Sequence, residues 1–341
     1  MPKWPDLING FKLLKEVDLN AVREKAEAPV HVMVVGREGC GRTTLINQLL
    51  SGPRQGDPPG IPPLSEHGTD AEIIVKPETL VLLVLDATAG VYTEEKEVFT
   101  KLIRNSARIV VCYNKMDLIG DRQSVLNGAV EWKDAEVAAI SAVDRESLLQ
   151  GLLPAILRAC KGLEIPLARR IPLLREAVCR KLIDDACFVN SAYSFTTGLA
   201  EMNVFLDIPL NLADMVVLTK NQALMSYKIS LAAGMVADWK ETVPKLAAVV
   251  GSAFLWRQAA RSLVGLVPGW GIIPKVAVAY AGTFAVGEAI YHWCANGERL
   301  KQDMLKPLYN AALQRGRDTA RLLLERKRSG QPLPAESGYQ P

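Results

Sequence analysis

The run Gly36-Arg37-Glu38-Gly39-Cys40-Gly41-Arg42-Thr43 constrains this chain more than any other segment, because of what flanks it. It follows the apolar stretch Val30-His31-Val32-Met33-Val34-Val35. It opens a segment, Arg42 to Leu50, whose Leu45, Ile46, Leu49 and Leu50 share one helical face before Gly52 and Pro53 stop it. A strand, a glycine-rich turn and a helix in that order start a parallel α/β unit. Glycines let backbone N–H groups close round phosphate oxygens, and the helix N-terminus adds about half a positive charge. The candidate phosphate-binding residues are Gly36, Gly39, Cys40, Gly41, Arg42, Thr43 and Thr44, with the Thr43 hydroxyl expected on Mg²⁺. The structural alternative is a strand-turn-helix that uses glycine only for tight turning.

Position 42 departs from the usual chemistry. A lysine there acts as a compact point charge, whereas Arg42 brings a wider planar fork on a longer arm. Glu38 also puts a carboxylate into the loop, where it must point away from an anion or weaken its binding.

A second constellation sits where ligands bind in open α/β sheets. Ala107 to Tyr113 reads as a buried strand, and Asn114-Lys115-Met116-Asp117 follows at its carboxyl end. Asp117 suits the two N–H donors on the edge of guanine, which adenine does not offer. Asn114 braces the loop, and the Lys115 stem packs over the ring plane. A site built on that pairing rejects other bases, since Asp117 would be left unpaired. Glu136 to Ile140 reads as a last strand, and the N–H groups of the following Ser141-Ala142 are placed to meet the base oxygen, ahead of a helix from Ser147 to Cys160. The expected ligand is GTP or GDP.

On these motifs, residues 29–160 resemble an Era-type GTPase domain. Thr79 to Asp86, followed by Ala-Thr-Ala-Gly and Thr93-Glu-Glu-Lys-Glu, resembles the strand, loop and helix ahead of that family's Asn-Lys-x-Asp loop. The family carries a threonine-bearing first switch, two strands and an Asp-x-x-Gly second switch where this chain has only Ser51 to Glu78. Asp57-Pro58-Pro59-Gly60 has the letters without a preceding strand. Asp57 is the candidate second Mg²⁺ ligand and Thr69 the candidate switch threonine, against the plainer reading of a proline-rich surface loop. Hydrolysis needs groups that position water and stabilise the transferring phosphoryl. With those switches degenerate, the expected turnover is slow or absent, and no catalytic residue is assigned. Cys40 at a helix N-terminus raises the option of a reactive thiol beside that of a small buried filler.

A chain of 341 residues exceeds what one core usually serves, and a net charge of +3 with 23% charged residues gives no footing for nucleic acid. The six cysteines form no C-x-x-C pair, which fits a reducing cytosol, with the protein either free there or peripheral at the inner face of a membrane.

The start does not read as a signal peptide: Leu7, Ile8, Phe11 and Leu14 take helical spacing with charges between them, and a second helix runs from Leu19 to Glu27. After Lys161 alternation gives way to helices, with the linker near Gly162 to Ile171. This half resembles the helical domain of YcjF-type proteins through Ile208-Pro209, Asp214, Leu218 to Met225 and Gly265 to Gly271. Ser262 to Gly287 carries one charge, Lys275, but Pro268, Gly269, Gly271 and Pro274 divide it, and a spanning helix needs about 20 apolar residues. Membrane-surface association of a soluble helical core is preferred over spanning. Arg257, Arg261, Arg315, Arg317, Arg321, Arg326, Lys327 and Arg328 supply charge for anionic headgroups, or form a solvated face. Asp214, Asn221 and Gln222 fall near one helical face as a core polar cluster.

The expectation is an α/β, mainly parallel, P-loop GTPase-like sheet with helices on both faces, then a mostly α-helical domain. The divisions are 1–28 for amphipathic helices, 29–162 for nucleotide binding, 163–329 for the helical domain and 330–341 for a disordered tail. The expected function couples a guanine nucleotide to a membrane or protein partner through the helical half. The competing expectation is a pseudo-GTPase adaptor that binds none.

Overall fold

The computed structural model describes residues 18–52, 64–76, 78–105, 107–127, 131–202, 212–235, 238–249 and 271–331. Asp57, the expected first helix at Leu7 to Leu14, the Ile208-Pro209 and Gly265 to Trp270 motifs, and the tail beyond residue 331 lie outside this set. The chain forms two compact units, one of Ala26–Ala177 and one of Val178–Pro341 with Met1–Lys25.

In the first unit five strands form one all-parallel sheet: β1 (His31–Val35), β2 (Ser65–His67), β3 (Thr79–Asp86), β4 (Arg108–Asn114) and β5 (Glu136–Ala139), in the order β2-β1-β3-β4-β5. Parallel strands covered on both faces read as unbroken apolar runs. That is how β3 reads: Leu80 to Leu85 are all 0–1% exposed, although alternate residues face opposite sides. Each such side chain contributes about 1.5–3 kcal/mol of transfer free energy. One face packs Val81, Leu83, Leu85, Val111 and Tyr113 against Val98 and Leu102 of the helix Thr93–Arg104, together with Trp132.

After the last two residues of α1 (Leu19–Glu27), the longer helices of this unit are α2 (Arg42–Leu50), α3 (Thr93–Arg104), α4 (Arg122–Asn127), α5 (Leu153–Ala159) and α6 (Glu164–Arg170). The helix expected from Ser147 is less regular, passing through a π-helical stretch at Leu148–Leu152 before α5 begins. Residues 163–177, which include the expected linker up to Ile171, belong to this unit, and a Cβ on Gly52 would lie 2.9 Å from Pro172 Cβ. Strand order reverses about β1, since α2 leads out to the edge strand β2 and the chain returns to β3 on the other side. In an open parallel sheet such a reversal opens a crevice at the carboxyl ends of the strands, where ligands bind.

The second unit holds α7 (Arg175–Met202), α8 (Leu212–Ala232), α9 (239–249), α10 (Ile272–Asn296) and α11 (Gln302–Arg328), together with α1 up to Lys25. Small residues bring these helices close. A Cβ on Gly316 would meet Ala277 Cα at 2.7 Å, and one on Gly287 would meet Ile183 Cγ1 at 2.6 Å. A polar cluster, buried except at Asn221, crosses the bundle. Thr283 Oγ1 accepts from Asn190 Nδ2 at 2.8 Å and Gln222 Nε2 at 3.1 Å, and Asn190 Oδ1 accepts from Asn221 Nδ2 at 2.8 Å. Asn221 and Gln222 therefore sit in the expected core network, while the Asp214 side chain lies outside the described set. Among the described residues α10 alone is long and apolar enough to cross a membrane, and 67% of its most apolar 18-residue stretch is buried inside the protein.

Candidate functional site

The loops at the carboxyl ends of β1, β3, β4 and β5 are stitched to one another by backbone hydrogen bonds. Ala87 N–H donates to Asn114 O at 3.0 Å, Met116 N–H to Ile140 O at 3.1 Å, and Gly36 N–H to His67 O at 3.3 Å. The turn after β1 needs its glycines: Gly39 and Gly41 have φ of 76° and 99°, where an L side chain is strained. At Gly36 a Cβ would lie 2.4 Å from Val84 O. Among the described residues no backbone acceptor takes the N–H of Glu38, Gly39 or Gly41. These donors therefore remain available to an anion at the mouth of α2, as a phosphate cradle requires.

Asn114, 2% exposed, joins three of these loops. Its Nδ2 donates to Cys40 O at 2.8 Å, and its Oδ1 accepts from Ala142 N–H at 2.8 Å. Gly41 has no room for a side chain because a Cβ would lie 2.3 Å from Asn114 Nδ2. The Ser141 N–H donates to Ser147 Oγ at 2.8 Å, so both N–H groups expected to meet a base oxygen are engaged within the protein. The Ser141 hydroxyl is buried without a hydrogen-bond partner.

Lys115 takes the left-handed region, φ 65°, and its Nζ reaches Asp86 Oδ2 at 2.5 Å. Burial works to raise the Asp86 pKa, but hydrogen bonds from Lys115 and Thr88 outweigh it and hold the carboxyl below its ordinary value. Asp117 lies in the 3₁₀ turn Met116–Leu118, exposed, and makes no hydrogen bond or ion pair among the described residues. Its oxygens face solvent, open to a donor pair.

Arg42 turns inward. One terminal nitrogen donates to Gly36 O at 2.8 Å and to His67 O at 2.6 Å, and Nε lies 3.2 Å from Glu66 Oε1. Thr43 Oγ1 donates to the same carboxylate at 3.1 and 3.2 Å. Arg37 is held as well: Nε meets Glu95 Oε1 at 2.6 Å, Nη2 donates to Val91 O at 2.6 Å, and the Glu95 hydrogen bond raises the Arg37 pKa. The Cys40 thiol, 1% exposed, is pushed up by burial, which favours the buried filler over the reactive thiol.

Glu66 is the residue that sequence reasoning missed. The plainer reading of Ser51 to Glu78 is a proline-rich surface loop, but Ser65–His67 is a strand, paired parallel to β1 with Glu66 opposite Val34. Three half-exposed residues on an edge carry no apolar alternation, so the only available sign was an acidic residue two positions before Gly68. Thr69, the candidate switch threonine, follows that turn and donates to Glu94 Oε2 at 2.9 Å.

No family model matches this chain. Curated relatives do match in part. The chain is similar to GTPase Der of Brucella anthropi, 27% identical over 135 residues, covering 30% of this chain and 28% of that protein. GTPase Der of Brucella melitensis and of Brucella abortus are each 28% identical over 135 residues, with the same coverage. The chain thus spans 28% of the length of the curated relatives it matches, and the likeness is distant. It agrees with the fold, a parallel P-loop GTPase-like sheet followed by a helical region.

Proposed function

We propose that this protein binds guanine nucleotide through a GTPase-like domain with degenerate switch regions, and couples its occupancy to a helical domain that contacts a membrane surface or a protein partner. The observation that carries the reading is Asn114, whose one side chain ties the glycine loop at Cys40 to the loop of Ala142. That link joins the loop carrying the free N–H groups of Glu38, Gly39 and Gly41 to the strand end that carries the open carboxylate of Asp117. The relatives' name, GTPase Der, points the same way.

The groups present fit parts of the ligand differently. The left-handed glycines and free N–H groups suit phosphate oxygens, and Asp117 suits the guanine edge. For Mg²⁺ the fit fails. Thr43, whose hydroxyl is the expected ligand, turns with Arg42 to the Glu66 carboxylate, and Asp57, the other expected ligand, lies outside the described residues. No catalytic step is therefore derived, and slow or absent hydrolysis is the expectation.

Isothermal titration with GDP and GTP, with ATP as control, tests the reading. Micromolar or tighter guanine binding that disappears in Asp117→Ala supports it. Equal binding of ATP contradicts it.

The inward turn of Arg42 favours a second reading, a pseudo-GTPase adaptor that no longer binds nucleotide. Under it, thermal melting ignores added GDP and Mg²⁺, whereas a bound ligand raises the midpoint by mass action. Sedimentation with anionic vesicles, reversed by salt, tests the surface contact proposed for the helical half.

A further inference from the structure

A phosphate-binding loop divides its labour. Backbone N–H groups cradle the α and β phosphates, the basic residue after the last glycine reaches the β and γ phosphates, and the hydroxyl after it serves the metal. This chain keeps the first part and has turned the other two over to a carboxylate of its own. Resting on the guanine-nucleotide reading above, we propose that Glu66 makes the site selective for guanosine diphosphate over the triphosphate, and independent of Mg²⁺.

Three observations converge on Glu66. Its Oε1 lies 3.2 Å from Arg42 Nε and accepts from Thr43 Oγ1 at 3.1 Å, while Oε2 takes Thr43 at 3.2 Å. One carboxylate therefore occupies the two side chains that a γ phosphate and its metal would use. The guanidinium is fixed from the other side as well, by the carbonyls of Gly36 and His67 at 2.8 and 2.6 Å. Releasing it would take its donor from the Gly36 carbonyl, leave His67 O with only the Gly36 N–H, and break a charge pair at once.

Among the described residues the neighbouring cations are engaged elsewhere. Arg37 is bound to Glu95 and to Val91 O, and Lys115 to Asp86. A γ phosphate placed beyond the cradle would meet the carboxylates of Glu66 and, at the loop tip, Glu38, and like charges repel. The α and β phosphates meet the N–H groups of Glu38, Gly39 and Gly41 and the N-terminus of α2 instead, where neither a side-chain cation nor a metal is required. The strand that carries Glu66 is short and at the sheet edge, so the residue is set by backbone pairing to β1 and can be changed without disturbing the core.

The test is isothermal titration of the full chain with GMP, GDP and GTP, each in Mg²⁺ and in EDTA, for wild type and Glu66→Gln, with thermal melting to show that the variant folds. Wild type binds GDP with a Kd that changes less than about twofold between Mg²⁺ and EDTA, and binds GTP at least about tenfold more weakly. Glu66→Gln removes the repulsion and the charge pair with Arg42, bringing GTP to within about threefold of GDP. The proposal is overturned if Mg²⁺ lets wild type bind GTP as tightly as GDP, or if Glu66→Gln leaves the ratio unchanged. If wild type binds none of the three nucleotides, the guanine reading falls too. A preference for Mg²⁺-GTP sinks the selectivity alone and leaves that reading standing.

Discussion

Asn114 Nδ2 donates to the carbonyl of Cys40 at 2.8 Å, across 74 positions of sequence, and the Asn114 side chain is itself buried. Its other end accepts from Ala142 N–H. Asn114→Ala therefore orphans a buried carbonyl and a buried N–H together, and leaving such groups unpaired costs about 1–3 kcal/mol each. Urea unfolding without ligand should show a loss of about 3 kcal/mol. An unchanged midpoint would mean that the loops hold one another without this side chain.

The pair Lys115 and Asp86 predicts an acid response. The Asp86 carboxyl is desolvated, yet Lys115 and Thr88 hold its folded pKa below the unfolded value, so its stabilisation is present above about pH 4 and is lost as pH falls through the lower folded pKa. Lys115→Met should raise the Asp86 pKa and move the acid unfolding midpoint upward. Carbon-detected NMR titration of the carboxyl reads the first effect and circular dichroism the second; identical curves for the two proteins would refute the linkage.

Much of the sheet was legible because its signals are local. Thr79 to Asp86 is an unbroken apolar run, Arg42 to Leu50 carries a helical face ended by Gly52, and Leu19 to Glu27 keeps helical spacing, and each forms the element its pattern specifies. Ser65–His67 had no such signal, since an edge strand of three residues buries neither face and is held by backbone bonds to β1. The direction taken by Arg42 was equally hidden. It depends on two carbonyls and a carboxylate, and only one of these, Gly36 O, is near it in sequence. The same holds for Pro172, whose ring reads as a linker residue but packs at Gly52.

The cysteines should be inert. All six are buried, and burial lifts the thiols of Cys160 and Cys294 to about 12 and raises that of Cys40. Native protein treated with a thiol-reactive chromophore at pH 8 should show no fast phase, and all six should react after denaturation. One fast thiol assigned to Cys40 by mass spectrometry would restore the redox role.

In the helical unit, Thr283→Val keeps the shape but removes the oxygen that accepts from Asn190 and Gln222. Two buried amides then lose their shared acceptor, at a cost of about 2–3 kcal/mol. Hydrophobic replacement that leaves thermal stability unchanged would show that the cluster does not hold the bundle together.

The most direct measurement of the central claim is calorimetric titration of GDP, with ATP as control, into wild type and Asp117→Ala. Asp117 is exposed and makes no interaction among the described residues, so its loss should change stability by less than about 0.5 kcal/mol. GDP should bind wild type and lose at least about tenfold in affinity in the variant, with ATP bound weakly by both. GDP binding that is absent from wild type, or that survives undiminished in Asp117→Ala, would contradict the account.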